Sequence, residues 1–251
     1  MNVPEILDLH SEMLTLNSRL EVGVSLTIKV KCSDHKFFRS NPHYVEVLGA
    51  ICYYGFDILS FKMDGCYLCV TLTKKTTVSK EQGKINYGFI LPLMRNGGCK
   101  GEITIYKIRT MYKYSEYLYP FMLKKNGVNA ETGKIENDFR ITLIGRFLRK
   151  FWLDELPMFY NFLKGDLKLI GVRPVGKHVY ENFPEEVKTL RSQSLTGLLP
   201  PPQMERAVGL EEVYWYERKY LLAYKKLGRK VDWHYFMKFL HLIFISGARG
   251  K

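Results

Sequence analysis

Two adjacent carboxylates, Asp154 and Glu155, come just before Pro157 in the sequence. Proline suits the first turn of a helix and Gly165 suits its end, so the pattern predicts a helix over 157–164. At the helix N-terminus the carboxylates could simply cap free N–H groups. The alternative is chemical, because a helix N-terminus lowers the pKa of a carboxylate and would keep Asp154 ionised and nucleophilic. Glu155 could then bind a divalent cation on substrate phosphates.

Basic residues are frequent on both sides of this pair. Arginine suits such a place because its planar guanidinium binds phosphate through two hydrogen bonds. Pro174 also restricts the preceding Arg173 to extended backbone conformations. Each basic side chain alone could form a surface ion pair, but the whole set around two carboxylates predicts a phosphate site. The set is Lys107, Arg109, Arg140, Arg146, Arg149 and Arg173.

Two strand-like runs and a series of helical patterns must position these groups. The runs cover 87–94 and 102–108 around Gly97-Gly98, which predicts a hairpin. Long helices with a few hairpins then predict a helix-rich α+β fold for this part of the chain. The predicted helices cover 113–125, 141–151, 157–164, 183–193, 209–227 and 232–246.

The N-terminal region is predicted to form a separate small α+β module. Residues 74–85 are mostly polar and have little to bury, which indicates a linker. We therefore predict two domains, 1–80 and 81–251. The elements expected in the first are a helix over 4–20, a strand over 21–32, a helix over 42–54 and a hairpin around Asp64-Gly65.

The composition is that of a folded protein with a basic C-terminal region. Hydrophobic residues make up 46% and charged residues 25% of the chain, which excludes a disordered protein. The net charge is +13, of which residues 1–85 contribute +1 and residues 86–251 the remaining +12. This excess favours phosphate-bearing substrates or anionic lipid, although a basic surface also serves solubility. No helix-turn-helix, RRM or zinc-finger pattern is present, so nucleic acid is not predicted as a partner.

The cysteines and the hydropathy pattern bear on the cellular compartment. Five cysteines at scattered spacing are typical of reduced thiols in the cytosol. Glu5 and Asp8 interrupt the N-terminal residues, so we expect no signal peptide. No apolar run approaches the roughly 20 residues that span a bilayer. We therefore expect a cytoplasmic protein.

The region around the carboxylate pair resembles the bacterial sugar transferase family, also called the monotopic phosphoglycosyl transferases. These motifs are specific because many fixed residues recur in order at the family spacing, over about residues 86–251. Residues 193–203 resemble a later segment of the family pattern. The earlier matches are Lys107-Ile108-Arg109-Thr110-Met111, Arg140-Ile141-Thr142, Gly145, Leu148-Arg149-Lys150, Asp154-Glu155-Leu156-Pro157, Asn161, Leu163, Gly165-Asp166-Leu167, Gly171 and Arg173-Pro174.

The resemblance implies an enzyme that transfers a sugar-1-phosphate from a nucleoside diphosphate sugar, usually UDP-linked, to polyprenyl phosphate. Asp154 would attack the β-phosphate to form a covalent phosphosugar–enzyme ester, which polyprenyl phosphate then attacks. Glu155 would help to bind Mg²⁺, with Mn²⁺ as the other candidate. Such a reaction initiates assembly of exopolysaccharide, capsule or O-antigen type glycans. The positions near the phosphates and nucleotide would be Lys107, Arg109, Arg149, Arg173 and Pro174.

Three features depart from the family pattern. Met158 replaces a usual Gln, and Val172 replaces the first Pro of a Pro-Arg-Pro motif. A polar linker and a hairpin also take the place of the apolar re-entrant helix that family members carry before the Lys107 motif. This leaves a second hypothesis open, in which the chain is a non-catalytic scaffold or binding protein of a polysaccharide assembly system.

A polyprenyl acceptor requires a route to the membrane. The predicted C-terminal helix, capped by Asp232, has an apolar side and basic residues at both ends. It could lie on an anionic membrane surface or pack in the protein's own core, and a membrane-anchored partner protein could serve instead. We expect a cytoplasmic chain that is peripheral on the inner face of the cytoplasmic membrane. The apolar residues in question are Trp233, Phe236, Met237, Leu240 and Phe244.

Overall fold

The described residues of the computed structural model form two units that are not continuous in sequence. Unit 1 contains the described residues up to Tyr87, together with Met111–Gly127 and Ile135–Thr142. Unit 2 contains Gly88–Thr110 and the described residues from Leu143 onward. The predicted domain boundary between residues 80 and 81 lies outside the described residues, which are 9–32, 42–78, 85, 87–127, 135, 137–205, 207 and 209–244.

Unit 1 contains a three-stranded antiparallel sheet with the strand order β1-β3-β2. The predicted hairpin is confirmed, and Gly65 in its turn has a φ of 57°. Inward-facing residues of the sheet, such as Ile28 and Val70, share one core with α2. The elements of unit 1 are α1 (Leu9–Arg19), β1 (Ser25–Lys31), α2 (Tyr44–Tyr53), β2 (Phe56–Asp64), β3 (Tyr67–Lys74), a 3-10 helix (Ser115–Leu118) and α3 (Tyr119–Asn126).

The helix predicted over 113–125 is divided in the structure and belongs to unit 1. A 3-10 helix comes first, and α3 follows with Pro120 in its first turn, where a missing N–H costs little. Tyr114, just before the 3-10 helix, has a φ of 60°. A Cβ on Gly49 of α2 would lie 2.4 Å from the Tyr114 carbonyl oxygen, so this close contact requires glycine. This contact packs the segment around Tyr114 against α2.

Unit 2 confirms the second predicted hairpin as the antiparallel pair β4–β5, and it is rich in helix as expected. The five helices predicted here agree with the structure to within three residues at each end, whereas the short helices Lys177–Glu181 and Pro201–Met204 were not predicted. The α+β fold class is therefore correct. The elements are β4 (Ile90–Asn96), β5 (Glu102–Ile108), α4 (Leu143–Lys150), a 3-10 turn (Leu153–Glu155), α5 (Met158–Leu163), β6 (Lys168–Ile170), α6 (Lys177–Glu181), α7 (Glu185–Ser192), β7 (Gly197–Leu199), α8 (Pro201–Met204), α9 (Gly209–Leu227) and α10 (Arg229–Phe244).

The parallel pair β6–β7 was not predicted from the sequence. Each strand has only three residues, which is too short to show an alternating pattern. The strands approach closely at two glycines, since a Cβ on Gly197 would lie 2.2 Å from the amide nitrogen of Gly171. Val172 after β6 and Met158 in α5 are both buried in the cores of unit 2. Val172 and Met158, the two residues that depart from the family motifs, are thus core residues.

The C-terminal helix differs from the prediction in its start and its packing. It begins at Arg229, so Asp232 does not cap it. Asp232 instead accepts a hydrogen bond from the Tyr220 hydroxyl at 2.5 Å and pairs with Lys168 at 3.2 Å. Phe236 packs against the core, whereas Trp233 and Met237 are exposed. Within the described part of the chain, no helix has the length and apolar character needed to cross a membrane.

Candidate active site

The carboxylate pair lies in unit 2, in the 3-10 turn between α4 and α5. Trp152 comes directly before this turn and has a φ of 56°, which is uncommon for a residue with a side chain. The residue therefore changes the chain direction between the end of α4 and the carboxylates. Such conformations persist where surrounding packing holds them, and they concentrate at functional sites.

Glu155 is held by two cations from different parts of the chain. Lys107 on β5 and Arg173 after β6 donate to the same oxygen, Oε1, at 2.6 Å and 2.5 Å. Burial alone would raise the pKa of Glu155, but Arg173 and Lys107 outweigh it, and the pKa lies below its ordinary value. The pKa of Lys107 is lowered, first by burial and then by the charge of Arg173.

Asp154 has the opposite shift from the one expected. Its pKa is raised, mainly because burial disfavours the charged form, and the neighbouring Glu155 adds to the effect. Lys107 and Arg149 act against this rise without cancelling it. The expectation of a lowered pKa assumed a helix N-terminus, but α5 is short and begins only at Met158. Desolvation, which the sequence does not reveal, decides the sign.

Arg149 is positioned by a contact between α4 and the end of β5. Its Nε donates to the hydroxyl of Thr110 at 2.9 Å. One helical turn earlier, Gly145 packs against the backbone of the same residue, and a Cβ there would lie 2.0 Å from the Thr110 carbonyl oxygen. Glycine is thus required for α4 to approach β5 and bring Arg149 to the carboxylates.

Replacing Gly145 by alanine tests this close approach. We expect Gly145→Ala to lower the free energy of unfolding by about 1–3 kcal/mol, because the added methyl group must push α4 away from Thr110. Urea denaturation measures the change. Gly88→Ala is the matched control, because a Cβ there meets its nearest atom at an ordinary 3.5 Å. Equal stability of the two variants would contradict the proposed role of Gly145.

The Arg173 segment is fixed by buried groups on both sides. Arg191 of α7 donates through Nη2 to the Arg173 carbonyl at 2.5 Å, and its Nη1 forms a fully buried ion pair with Glu217 of α9. The amide of Asn96 donates to the Val175 carbonyl at 2.8 Å. Pro174, between these contacts, is buried. The backbone on both sides of the Arg173 side chain is therefore well anchored.

Arg95 is a further basic residue near this site, and sequence reasoning missed it. Its pKa is lowered, mainly by burial and then by the charge of Arg173, which shows that the two guanidinium groups lie near each other. Its isolated place in β4 carried no motif that could have indicated it. With Lys107, Arg149 and Arg173, it makes the site more positive than its two carboxylates can neutralise. Such a surplus favours a polyanionic ligand.

The remaining predicted cations lie elsewhere. Arg109 donates through Nε to the Gly88 carbonyl at 3.0 Å, which ties the end of β5 to the segment before β4. Arg140 belongs to unit 1 and forms an ion pair with Asp138 at 2.7 Å, which is buried and not on the surface as the ion-pair interpretation expected. Arg146 is exposed on α4. The structure therefore brings together part of the predicted set, namely Lys107, Arg149 and Arg173.

Asn161 connects the helix after the carboxylates to the strand that carries Lys107. Its side-chain oxygen accepts from the amide of Tyr106 at 3.2 Å, and its Nδ2 donates to the Thr104 carbonyl at 2.7 Å. The side chain is fully buried. It thus satisfies backbone groups on the edge of β5 that would otherwise be buried without partners, and it fixes α5 relative to Lys107.

The carboxylate pair meets part of what a magnesium ion requires. Mg²⁺ is commonly held by one or two carboxylates, with the other oxygens supplied by substrate phosphates and water. Among the described residues, no cluster of three or more His, Cys, Asp or Glu side chains could hold a metal ion. An ion at Glu155 must also share that carboxylate with Lys107 and Arg173. The pair therefore fits a metal ion that arrives with a phosphate substrate.

Large apolar side chains are exposed on the elements next to the carboxylates. On α4 and just after it, they recur at helical spacing and so share one side of the helix. A similar set covers one side of the turn and α5, and Leu163 is 80% exposed. We refer to both sets as the α4–α5 apolar residues. They are Leu143, Ile144, Phe147, Phe151, Leu156, Phe159, Tyr160 and Leu163.

Comparison with known proteins identifies the family. The sequence model of the bacterial sugar transferases matches residues 68–238, more than half of the chain, and the chain therefore belongs to this family. The resemblance inferred from the motifs is confirmed. The matched range begins inside β3, earlier than residue 86, where the motifs suggested that the resemblance starts.

Three relatives illustrate the similarity. Galactosyl transferase CpsE of Streptococcus agalactiae serotype III is 41% identical over 104 residues, which are 40% of this chain and 23% of that protein. Undecaprenyl-phosphate galactose phosphotransferase of Salmonella typhimurium is 38% identical over 128 residues, 48% of this chain and 26% of the relative. Exopolysaccharide production protein ExoY of Rhizobium meliloti is 44% identical over 125 residues, which are 47% of this chain and 53% of that protein. The chain thus spans about a quarter to half the length of these curated relatives.

Proposed function

We propose that this chain transfers a sugar-1-phosphate from a nucleoside diphosphate sugar, UDP-linked, to a polyprenyl phosphate at the start of exopolysaccharide, capsule or O-antigen type glycan assembly. The observation that carries the proposal is the pair Asp154 and Glu155, with Glu155 held by Lys107 and Arg173. Relatives named as undecaprenyl-phosphate sugar phosphotransferases support the acceptor class. The site residues in this proposal also include Arg149 and Pro174, with Arg109 at the end of β5.

In the first step, an oxygen of the Asp154 carboxylate attacks the β-phosphorus of the donor. The bond from that phosphorus to the bridging oxygen breaks, and the nucleoside monophosphate leaves with the electron pair. The raised pKa of Asp154 makes its carboxylate more basic and so more nucleophilic, while Lys107 and Arg149 favour its ionised form. Arg173 and Lys107, which both contact Glu155, would neutralise the negative charge of the donor phosphates.

In the second step, a phosphate oxygen of the acceptor attacks the same phosphorus. The bond between phosphorus and the Asp154 oxygen breaks, which releases the free carboxylate and a polyprenyl diphosphate sugar. No group other than the acceptor is consumed. The residues of the chain contribute position and positive charge, which are the main requirements of phosphoryl transfer.

The proposal is tested by release of UMP from UDP-sugars, with and without undecaprenyl phosphate. Release that depends on Asp154 supports the enzyme. The second hypothesis, a non-catalytic scaffold or binding protein of a polysaccharide assembly system, predicts binding of UDP-sugar without release. Because the donor sugar is not known, UDP-galactose, UDP-glucose and their N-acetylated forms are each assayed. Absence of release with all four in the presence of vesicles containing undecaprenyl phosphate would contradict the enzymatic proposal.

The reaction should require a divalent cation. Glu155 would hold Mg²⁺, or Mn²⁺, together with substrate phosphates, and the ion would supply neutralising charge where carboxylates meet a diphosphate. EDTA should therefore abolish UMP release, and added Mg²⁺ or Mn²⁺ should restore it. Calorimetric titration of UDP with and without Mg²⁺ gives a second readout. Full activity in a metal-free preparation would exclude this role for Glu155.

The proposed acceptor places the reaction at the inner face of the cytoplasmic membrane. We propose that the α4–α5 apolar residues contact the bilayer, because they flank the carboxylates and have the exposed Arg146 and Lys150 beside them. Apolar side chains next to basic ones are typical of helices that lie on anionic lipid. Helix α10 is the weaker candidate, since Phe236 in its predicted apolar stripe packs inward.

Vesicle flotation distinguishes these surfaces. At low salt, the protein should float with phosphatidylglycerol vesicles, and the double variant Phe147→Ser, Leu163→Ser should stay in solution. The control variant Leu210→Ser, Leu227→Ser changes two exposed apolar residues of α9 and should float normally. A third variant, Trp233→Ser with Met237→Ser, tests α10. Loss of flotation in this variant alone would assign the contact to α10, and no flotation of the unchanged protein would favour a membrane-anchored partner.

A further inference from the structure

Unit 2 contains an apolar cavity that the chemistry above does not use. Its volume is about 200 Å³, and Glu155 forms part of its wall. Apart from Glu155 and Gln203, the residues that line it are apolar. They come from the turn that carries the carboxylates, from α5, from the segment around β7 and from α10. The cavity therefore starts beside the phosphate site and extends into apolar surroundings.

The chemistry of the wall restricts what the cavity can bind. A sugar or a nucleobase carries several polar groups, which would lose hydrogen bonds to water without finding partners here. Apolar cavities of this kind instead accept hydrocarbon, and one of about 150 Å³ is large enough for benzene. A cavity of about 200 Å³ can therefore hold a five-carbon isoprene unit.

The position of the cavity relates it to both the anion site and the surface. Glu155 forms one side of the cavity and contacts Lys107 and Arg173. A group in the cavity would therefore lie next to a phosphate that these two cations bind. On the outer side, Phe151 lines the cavity, is exposed, and packs on Phe147 with ring centroids 4.9 Å apart. An apolar chain that leaves the cavity at Phe151 thus continues onto the α4–α5 apolar residues.

We propose that this cavity binds the isoprene unit next to the phosphate of the acceptor, and so aligns that phosphate with Asp154. The proposal rests on the proposed function for the identity of the acceptor. In a polyprenyl phosphate a single ester oxygen joins the phosphate to the first isoprene unit, so the anion site and the apolar site must be adjacent. Glu155 lies at such a junction. The proposal also gives α10 a role, because Phe239 and Leu242 close the cavity from that helix.

Direct binding of farnesyl phosphate, below its micellar concentration, tests the proposal without any turnover. Trp152 lines the cavity, so its fluorescence reports occupancy once the two other tryptophans, Trp215 and Trp233, are replaced by phenylalanine. In this background, Leu242→Gln and Phe159→Gln each add a polar group from a different side of the cavity. Leu227→Gln, on the exposed end of α9, is the matched control.

We expect saturable binding of farnesyl phosphate that both cavity variants weaken by about tenfold, because the buried polar amide disfavours an apolar neighbour. The control and the affinity for inorganic phosphate should be unchanged. Normal binding in both cavity variants would overturn the proposal, as would a loss caused only by Leu163→Gln on the exposed surface. If binding follows the expected pattern but UMP release fails, the proposed function fails and the cavity assignment stands. If UMP release is normal and the cavity variants bind farnesyl phosphate as the unchanged protein does, the cavity proposal is wrong and the proposed function stands.

Discussion

Asp154→Asn should abolish the covalent phosphosugar intermediate and lower turnover by at least about 10⁴-fold. The amide has nearly the shape of the carboxylate but lacks the charged oxygen that attacks phosphorus. The cations Lys107 and Arg149, which act on the pKa of Asp154, should remain in place. Mass spectrometry of the intact protein after mixing with UDP-sugar, without acceptor, detects the intermediate as an added sugar phosphate.

The fold should survive this substitution, since asparagine is well tolerated in turns and at helix starts. Its urea midpoint should therefore match that of Asp57→Asn, a control that removes an exposed carboxylate of unit 1 paired with Lys75. Asp57→Asn should also leave turnover unchanged. A sugar phosphate adduct on Asp154→Asn, or turnover close to normal, would show that another residue is the nucleophile.

Arg191→Met should have the largest effect on stability, a loss of about 3–5 kcal/mol in the free energy of unfolding. The reason is that Glu217, which is 2% exposed, loses its cationic partner while it stays buried. Burial already raises the pKa of Glu217, and Arg191 is the group that opposes this rise. The Arg173 carbonyl also loses its donor, so the affinity for UDP should fall along with stability.

Two further variants separate charge burial from packing. Glu217→Leu in the Arg191→Met background removes the uncompensated charge and should restore most of the stability, but not the affinity for UDP. Arg218→Met breaks an exposed ion pair with Glu186 and should leave the unfolding midpoint unchanged. If Arg191→Met unfolded at the same urea concentration as Arg218→Met, the buried ion pair would have no stabilising role.

Much of this architecture follows from short-range patterns in the chain. The spacing of apolar residues predicted helix α9 at its observed bounds, because one side of a helix is encoded by residues three and four apart. Asp64-Gly65 predicted a hairpin because its turn requires a positive φ, which glycine adopts at no cost. The order of the motifs also predicted the carboxylate pair and the three cations that lie near it, Lys107, Arg149 and Arg173.

Tertiary structure decided the features that depend on distant residues and on burial. Strands β6 and β7 are too short for a periodic signal, and they exist because Gly171 and Gly197 allow a close approach. Arg191 and Glu217 are 26 residues apart, and nothing local in the sequence relates them. The pKa of Asp154 rises because packing removes water from its carboxylate, an effect that outweighs the neighbouring cations. The sequence by itself determined which groups are present and their local backbone, whereas desolvation and long-range pairing arise only when the chain is packed.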